Sequence, residues 1–184
     1  VICNHQSWVD IPLLQRVLYK KVPFIKFFLK KQLFWGPVLG TAWWALDFPF
    51  MKRYSLDQIR KNPNLKNKDK ETTRKACEKF KQRPVSIMTF VEGTRFRPEK
   101  KQKISSPYSH LMRPKAAAIG LIMTNMQDTL NSIINVSICY PEGSQEIWPF
   151  FCGKLKKVVI KIEKIDIDEN LKGDYYKDPV YKKN

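Results

Sequence analysis

Acidic residues are scarce in this chain: 17 Asp and Glu stand against 34 Lys and Arg, a formal net charge of +17 over 184 residues. That shortage points to anionic partners, whether nucleic acid, an anionic membrane surface or phosphate-bearing substrates. Histidine is scarcer still, with only His5 and His110. The cysteines Cys3, Cys77, Cys139 and Cys152 are scattered, with no C-x-x-C pair. This combination argues against a zinc site, and no metal is expected. Spacing alone leaves disulfides open, but a chain with an ample core has no need of them; reduced thiols in a cytosol-facing compartment are expected. An RNP-like aromatic motif, a zinc module and a recognisable helix-turn-helix are all missing, so a nucleic-acid-binding reading rests on charge alone. No internal repeat and no low-complexity segment occurs. From Gln32 to Met51 only Asp47 is charged, a length nominally sufficient to span a membrane. Gly36, Pro37, Gly40, Asp47 and Pro49 interrupt it, so a short helix from about Leu33 to Trp44 and a strand from Phe48 to Met51 are expected. Its Trp-rich surface is suited to dipping into a bilayer interface without spanning it.

What is present is a core. An apolar fraction of 43%, with eleven Phe and five Trp, argues against disorder. The length suits one α/β domain over residues 1–184. Val1-Ile2-Cys3 reads as the middle of a buried strand, and the expectation is a fragment whose upstream part includes a membrane anchor. Apolar steps of three and four predict a helix from Ser7 to Leu18. Val22 to Leu29 reads as a strand. Arg60 to Arg83 carries ten basic and three acidic residues; its Asn62-Pro63-Asn64 part reads as a loop. From Asp69 an amphipathic helix is expected, with Thr73, Ala76, Cys77 and Phe80 on one face. The segment reads as a solvated face or one drawn to anionic headgroups or the phosphates of CoA. Val85 to Val91 is a strand, Glu92 to Pro107 a basic loop and Lys115 to Met126 a helix. Ile133 to Tyr140 and Lys154 to Ile165 are strands. Strands separated by helices predict an α/β fold with a largely parallel central sheet flanked by helices.

Two short constellations carry chemistry. In Asn4-His5-Gln6-Ser7-Trp8-Val9-Asp10, His5 sits where a strand gives way to a helix, the position at which α/β sheets present reactive groups. Asp10, in the first turns of that helix, can reach back to one imidazole nitrogen and leave the other free to take a proton. A lone H-x-x-x-x-D is equally what a helix-capping or hydrogen-bonded core histidine produces. In Phe90-Val91-Glu92-Gly93-Thr94-Arg95, Gly93 permits close approach of a ligand. Arg95 offers a planar fork for phosphate, and Thr94 adds a hydroxyl. A tight turn with a solvated arginine accounts for the same letters. His110 reads as structural or solvated. Trp43-Trp44 and Phe27-Phe28 are candidates for an acyl groove or for plain core.

Taken together, H-x-x-x-x-D and, about 85 residues later, E-G-T-R resemble the signature pair of the lysophosphatidic acid acyltransferase (PlsC-like) family. Lys30-x-x-Leu33 with Gly36-Pro37, Phe50-Met51-Lys52-Arg53, Leu111 to Lys115 and the apolar run Ile134 to Pro141 resemble its further blocks. Arg95-Phe96 with Lys100, and Gly153-Lys154-Leu155, are most similar to the subgroup of bacterial YihG-type proteins and eukaryotic lysocardiolipin acyltransferases. Met51 and Lys52 depart from the Ile and Asp usual before the Arg of the second block. The resemblance implies a glycerolipid acyltransferase-like fold. It also implies transfer of an acyl group from acyl-CoA or acyl carrier protein to a lysophospholipid hydroxyl, with no cofactor beyond that co-substrate. His5 would be the base and Asp10 its partner. Arg95, helped by Lys30, Arg53 and Lys115, would hold the lipid phosphate together with Gly93 and Thr94, and Glu92 would position the basic cluster. A membrane-associated protein follows, on a bacterial inner membrane with its site facing the cytoplasm and with no nucleic-acid partner. The rivals are a basic nucleic-acid-binding protein and a catalytically dead lipid-binding relative.

Overall fold

A computed structural model describes residues 1–36, 39–51, 54, 56–100, 106–144, 146–175 and 177–178. Five strands form the main sheet: β1 (Ile2–Cys3), β2 (Ile25–Phe27), β5 (Ser86–Phe90), β6 (Ser132–Cys139) and β7 (Val159–Asp166), in the order β2-β5-β1-β6-β7. β1 lies parallel to both β5 and β6, and β2 parallel to β5; only the edge strand β7 runs antiparallel. The fold is therefore α/β with a mostly parallel sheet flanked by helices, as the alternation of elements predicts. β3 (Leu29–Lys30) and β4 (Phe50–Met51) make a separate two-stranded parallel sheet.

Side-chain alternation along the strands builds a core on each face of the sheet. On one face Cys3, Met88, Val136 and Ile138 pack against Leu14 and Leu18 of helix α1 (Asp10–Leu18), which stand one turn apart. On the other face Ile87 meets helix α4 (Asn64–Phe80) and helix α5 (Ala116–Met126). Thr73, Ala76, Cys77 and Phe80 of α4 are all buried, the stripe read from their spacing. The outer strand β7 alternates Ile160 and Ile162 with Lys161 and Glu163, and its charged residues suit an edge that must not pair with another chain.

Several boundaries differ from the sequence reading, each for a local reason. The strand expected over Val22 to Leu29 is two pieces in two sheets, because the chain leaves the main sheet after Phe27 and Leu29 pairs with Phe50. This also splits one candidate acyl groove: Phe27 joins one core and Phe28 the other, facing Phe80 with ring centroids 6.4 Å apart. The helix expected from Leu33 to Trp44 is a 3₁₀ turn (Lys31–Trp35) and helix α2 (Leu39–Ala45), while the expected Pro37 lies outside the described residues. The Asn62-Pro63-Asn64 loop is only a break between helix α3 (Leu56–Lys61) and α4. Pro63 stands at the start of α4, where a missing N–H costs nothing. Helix α6 (Ile147–Phe151) lies in the β6–β7 connection and was not expected; β7 accordingly starts at Val159, later than Lys154. Among the described residues no helix is long and apolar enough to cross a membrane.

Gly120, inside α5, is where the C-terminal segment docks. Thr124 Oγ1 accepts from Tyr175 N at 3.0 Å and donates to Gly173 O at 3.2 Å, and the Tyr175 ring covers Gly120 so closely that a Cβ there would overlap it. Alanine ordinarily favours a helix over glycine by about 1 kcal/mol. Gly120→Ala is expected to leave helix content unchanged or raised while tryptic cleavage at Lys172 accelerates. Unchanged cleavage would show that the ring can move aside at no cost.

Candidate active site

Residues Asn4 to Asp10 leave the C-terminal end of β1, the central strand of the sheet. As the backbone peels away from β6, the Asn4 side chain takes over the ladder: Nδ2 donates to Ile138 O at 2.9 Å and Oδ1 accepts from Ile138 N at 2.8 Å. Gln6 Nε2 donates to the same carbonyl at 3.0 Å. The chain is thus held while it turns, and His5 projects from the turn. The helix expected from Ser7 begins at Asp10 instead, because Ser7 Oγ accepts from Val9 N at 3.1 Å and forms a turn ahead of it.

Asp10 is fully buried, and its oxygens are satisfied from several sides. Oδ2 lies 2.8 Å from His5 Nδ1 and accepts from the backbone N–H groups of Gln6 (2.7 Å) and Ser7 (3.0 Å). Oδ1 accepts from Tyr140 Oη at 2.6 Å. Burial, reinforced by the hydrogen bond to Asp10 and its charge, holds the Tyr140 hydroxyl well above the usual tyrosine range, so it remains a donor. With Nδ1 donating to the carboxylate, Nε2 is the nitrogen left to accept a proton, and it has no hydrogen-bond partner among the described residues. The imidazole stacks on Phe90, ring centroids 3.7 Å apart and planes inclined by 12°. The apolar surface fixes the ring plane and the carboxylate fixes its rotation. Burial, with smaller pushes from Asp10 and Glu92, raises the neighbouring Cys3 thiol far above its usual range, so it is no thiolate nucleophile.

The Glu92 to Arg95 turn leaves β5, the strand beside β1, at the same edge. Two hydrogen bonds tie the segments together: Val91 N to Cys3 O at 3.1 Å and Phe96 N to His5 O at 2.7 Å. Arg95 sets its guanidinium over the Trp8 ring, 5.1 Å from the centroid, and no carboxylate among the described residues pairs with it. Gly93 has φ +67°, a conformation that side chains resist, and an added Cβ would stand 3.2 Å from Lys115 Cδ and 3.7 Å from its Nζ. The Lys115 backbone is held by its N–H to Val91 O at 2.7 Å. Lys100 Nζ donates to Thr94 Oγ1 at 2.9 Å. His5, Asp10, Gly93, Thr94, Arg95 and Lys115 therefore share one edge of the sheet.

One sequence-based placement comes out differently. Glu92 does not sit among the cations it was expected to position. It is buried, Oε2 accepts from Met112 N at 3.2 Å, and Oε1 has no hydrogen-bond partner among the described residues. Its work is to hold the 112 segment behind the turn, since a carboxylate inside the fold is out of reach of solvated lysines. Arg53 and the Lys30 side chain lie outside the described residues; the Lys30 backbone is in β3. His110 is exposed in an irregular segment. An open groove of about 590 Å³ lined by Lys31, Phe50, Tyr54, Asn67, Lys68, Glu71 and Thr72 includes no residue of the His5 site. Missed altogether were Tyr140, Phe90 as the imidazole's platform and Trp8 as the support of Arg95. Only the tyrosine left a trace, as a polar aromatic closing an apolar strand just before Pro141.

The Acyltransferase family model matches residues 1–143, a span that includes both motifs and the Tyr140 strand. The chain belongs to that family of PlsC-like proteins, and acyl transfer is its general chemistry.

Burial raises the Glu92 carboxyl above its ordinary range, with a smaller push from Asp10, against the Met112 and His5 backbone N–H groups that act the other way. A carboxyl raised on folding stabilises below its unfolded value, near pH 4.3, and loses that contribution as pH rises through the folded value. Glu92→Gln removes this loss and keeps an acceptor for Met112. Its stability relative to the parent, from urea unfolding, is expected to improve as pH rises above about 4 and to level off once pH has passed the folded value. A difference independent of pH would mean that Glu92 is as comfortable ionised inside the fold as outside.

Proposed function

We propose that this acyltransferase moves a fatty acyl group from acyl-CoA, or from acyl carrier protein, to the free hydroxyl of a lysophospholipid, with lysophosphatidic acid as the acceptor and phosphatidic acid as the product. One observation carries the reading: a buried carboxylate orients His5 through Nδ1 at the edge where Arg95, with no carboxylate partner among the described residues, is held over Trp8. In this reading His5 Nε2 takes the hydroxyl proton as the oxygen attacks the thioester carbonyl. Asp10 stabilises the imidazolium so formed. When the tetrahedral intermediate collapses, the carbon–sulfur bond breaks and the thiolate leaves, taking the proton back from the imidazolium. The lipid hydroxyl is itself the nucleophile, so no acyl-enzyme and no further cofactor is called for.

Arg95, Lys115 and the Gly93-Thr94 backbone would hold the phosphate, with Lys30 and Arg53 as further candidates by their place in the sequence. The excess of 17 positive charges supports an anionic membrane, on the cytoplasmic side of a bacterial inner membrane, as the working surface. Nucleic acid has no part in the reading.

His5→Ala is expected to lower turnover by about 10²–10⁴ while the protein stays folded and binds lysolipid. A residual rate above about a tenth of the parent's would remove His5 from the role of base. Arg95→Lys keeps the charge but loses the bidentate fork. It should raise KM for the lysolipid clearly and Arg95→Ala should raise it further, with KM for acyl-CoA affected less. Equal effects on both substrates would separate Arg95 from the lipid phosphate.

A further inference from the structure

The β6–β7 connection carries aromatic surface that the fold leaves uncovered. β6 runs parallel to β1, so this connection leaves the sheet at the edge that bears His5 and Arg95. Within it, α6 reads Ile-Trp-Pro-Phe-Phe and buries none of its residues; Trp148 is 74% and Phe151 70% exposed. Immediately after it Gly153 turns the chain at φ +73°, followed by exposed Lys154, Lys156 and Lys157. Of these lysines only Lys156 meets a carboxylate among the described residues, Glu142 at 4.0 Å. Leu155 and Val158 are anchored in the main core, so the aromatic tip stands on a fixed base. Two large aromatic side chains, Trp148 and Phe151, are thus exposed beyond the end of the sheet that bears the site.

We infer that α6 and its trailing lysines are a membrane-seating foot, which inserts Trp148 and Phe151 into the interface of an anionic bilayer and turns the His5 edge toward the lipid. The chemistry of the segment selects this occupant. Aromatic rings prefer the level of the headgroups. Lysines placed beside them add attraction to anionic lipid, and binding of such elements scales with both terms. A second copy of this chain would bring the same lysines against one another. The inference rests on the lysolipid reading for its purpose, but membrane seating can be measured without activity.

The test is co-sedimentation of the full chain with phosphatidylcholine vesicles, with and without phosphatidylglycerol. Turnover on detergent-dispersed lysophosphatidic acid is measured in parallel. Trp148→Ser/Phe151→Ser is expected to weaken partition about tenfold or more on either vesicle. Lys154→Gln/Lys156→Gln/Lys157→Gln should weaken it only where phosphatidylglycerol is present. Tyr19→Ser, an exposed aromatic at the opposite end of α1, should change nothing. Detergent-phase turnover should stay at the parental level in all three. Parental vesicle binding by the aromatic variant overturns the inference, and if a concentration-dependent dimer is lost instead, the surface belongs to a second copy. Loss of vesicle binding in a protein that acylates no lysolipid would uphold the foot and overturn the proposed function.

Discussion

A carboxylate taken out of water costs several kcal/mol unless its lone pairs are met, roughly the whole stability of a small domain. Asp10 is completely buried, and the surrounding structure is organised around meeting it. The turn after β1 must aim the Gln6 and Ser7 N–H groups inward, β6 must end so that Tyr140 reaches Oδ1, and His5 must complete the set. These donors come from two places far apart in sequence, the turn after β1 and the end of β6. The imidazole's orientation is therefore set by the same hydrogen bonds that make the buried charge tolerable. Removing the Tyr140 hydroxyl would leave Oδ1 without its donor inside the protein, a large penalty by the usual asymmetry of buried hydrogen bonds.

The parallel sheet converts this local demand into a site. Because β1, β2, β5 and β6 all point the same way, every segment leaving their C-terminal ends arrives at one edge. His5 comes from β1, Arg95 from β5 and Tyr140 from β6. Hydrogen bonds between neighbouring turns then fix the spacing, above all Phe96 N to His5 O. Lys100 and Lys115 gather around Gly93 and Thr94 with no salt bridge to a carboxylate among the described residues, so that edge carries positive charge.

How much of this was legible depended on whether a feature is local. The α4 stripe at Thr73, Ala76, Cys77 and Phe80 follows from helical period alone and is buried as read. His5 and Asp10 lie five residues apart, so a single turn suffices to join them, and the type of contact could be foreseen from residue chemistry. Glu92 shows the opposite case. Beside Arg95 in sequence it reads as a partner for cations, yet the turn that follows β5 directs it inward to Met112. Pro63 reads as a loop marker because the same residue serves to end one helix and to begin the next.

By itself the sequence determined the α/β class, the near-continuous order of strands and helices, and the two motifs whose pairing marks the family. Period and short-range reach are properties of the chain, and they survive without knowledge of the fold. Only the tertiary structure decided which strands are neighbours, and so that residues 90, 95, 115 and 140 would stand around residue 5. Tyr140 is 130 positions from Asp10, and no local preference links them; their 2.6 Å hydrogen bond exists because β6 pairs with β1 in one register. Register is set by which rows of side chains can be buried together, a balance struck over the whole sheet at once.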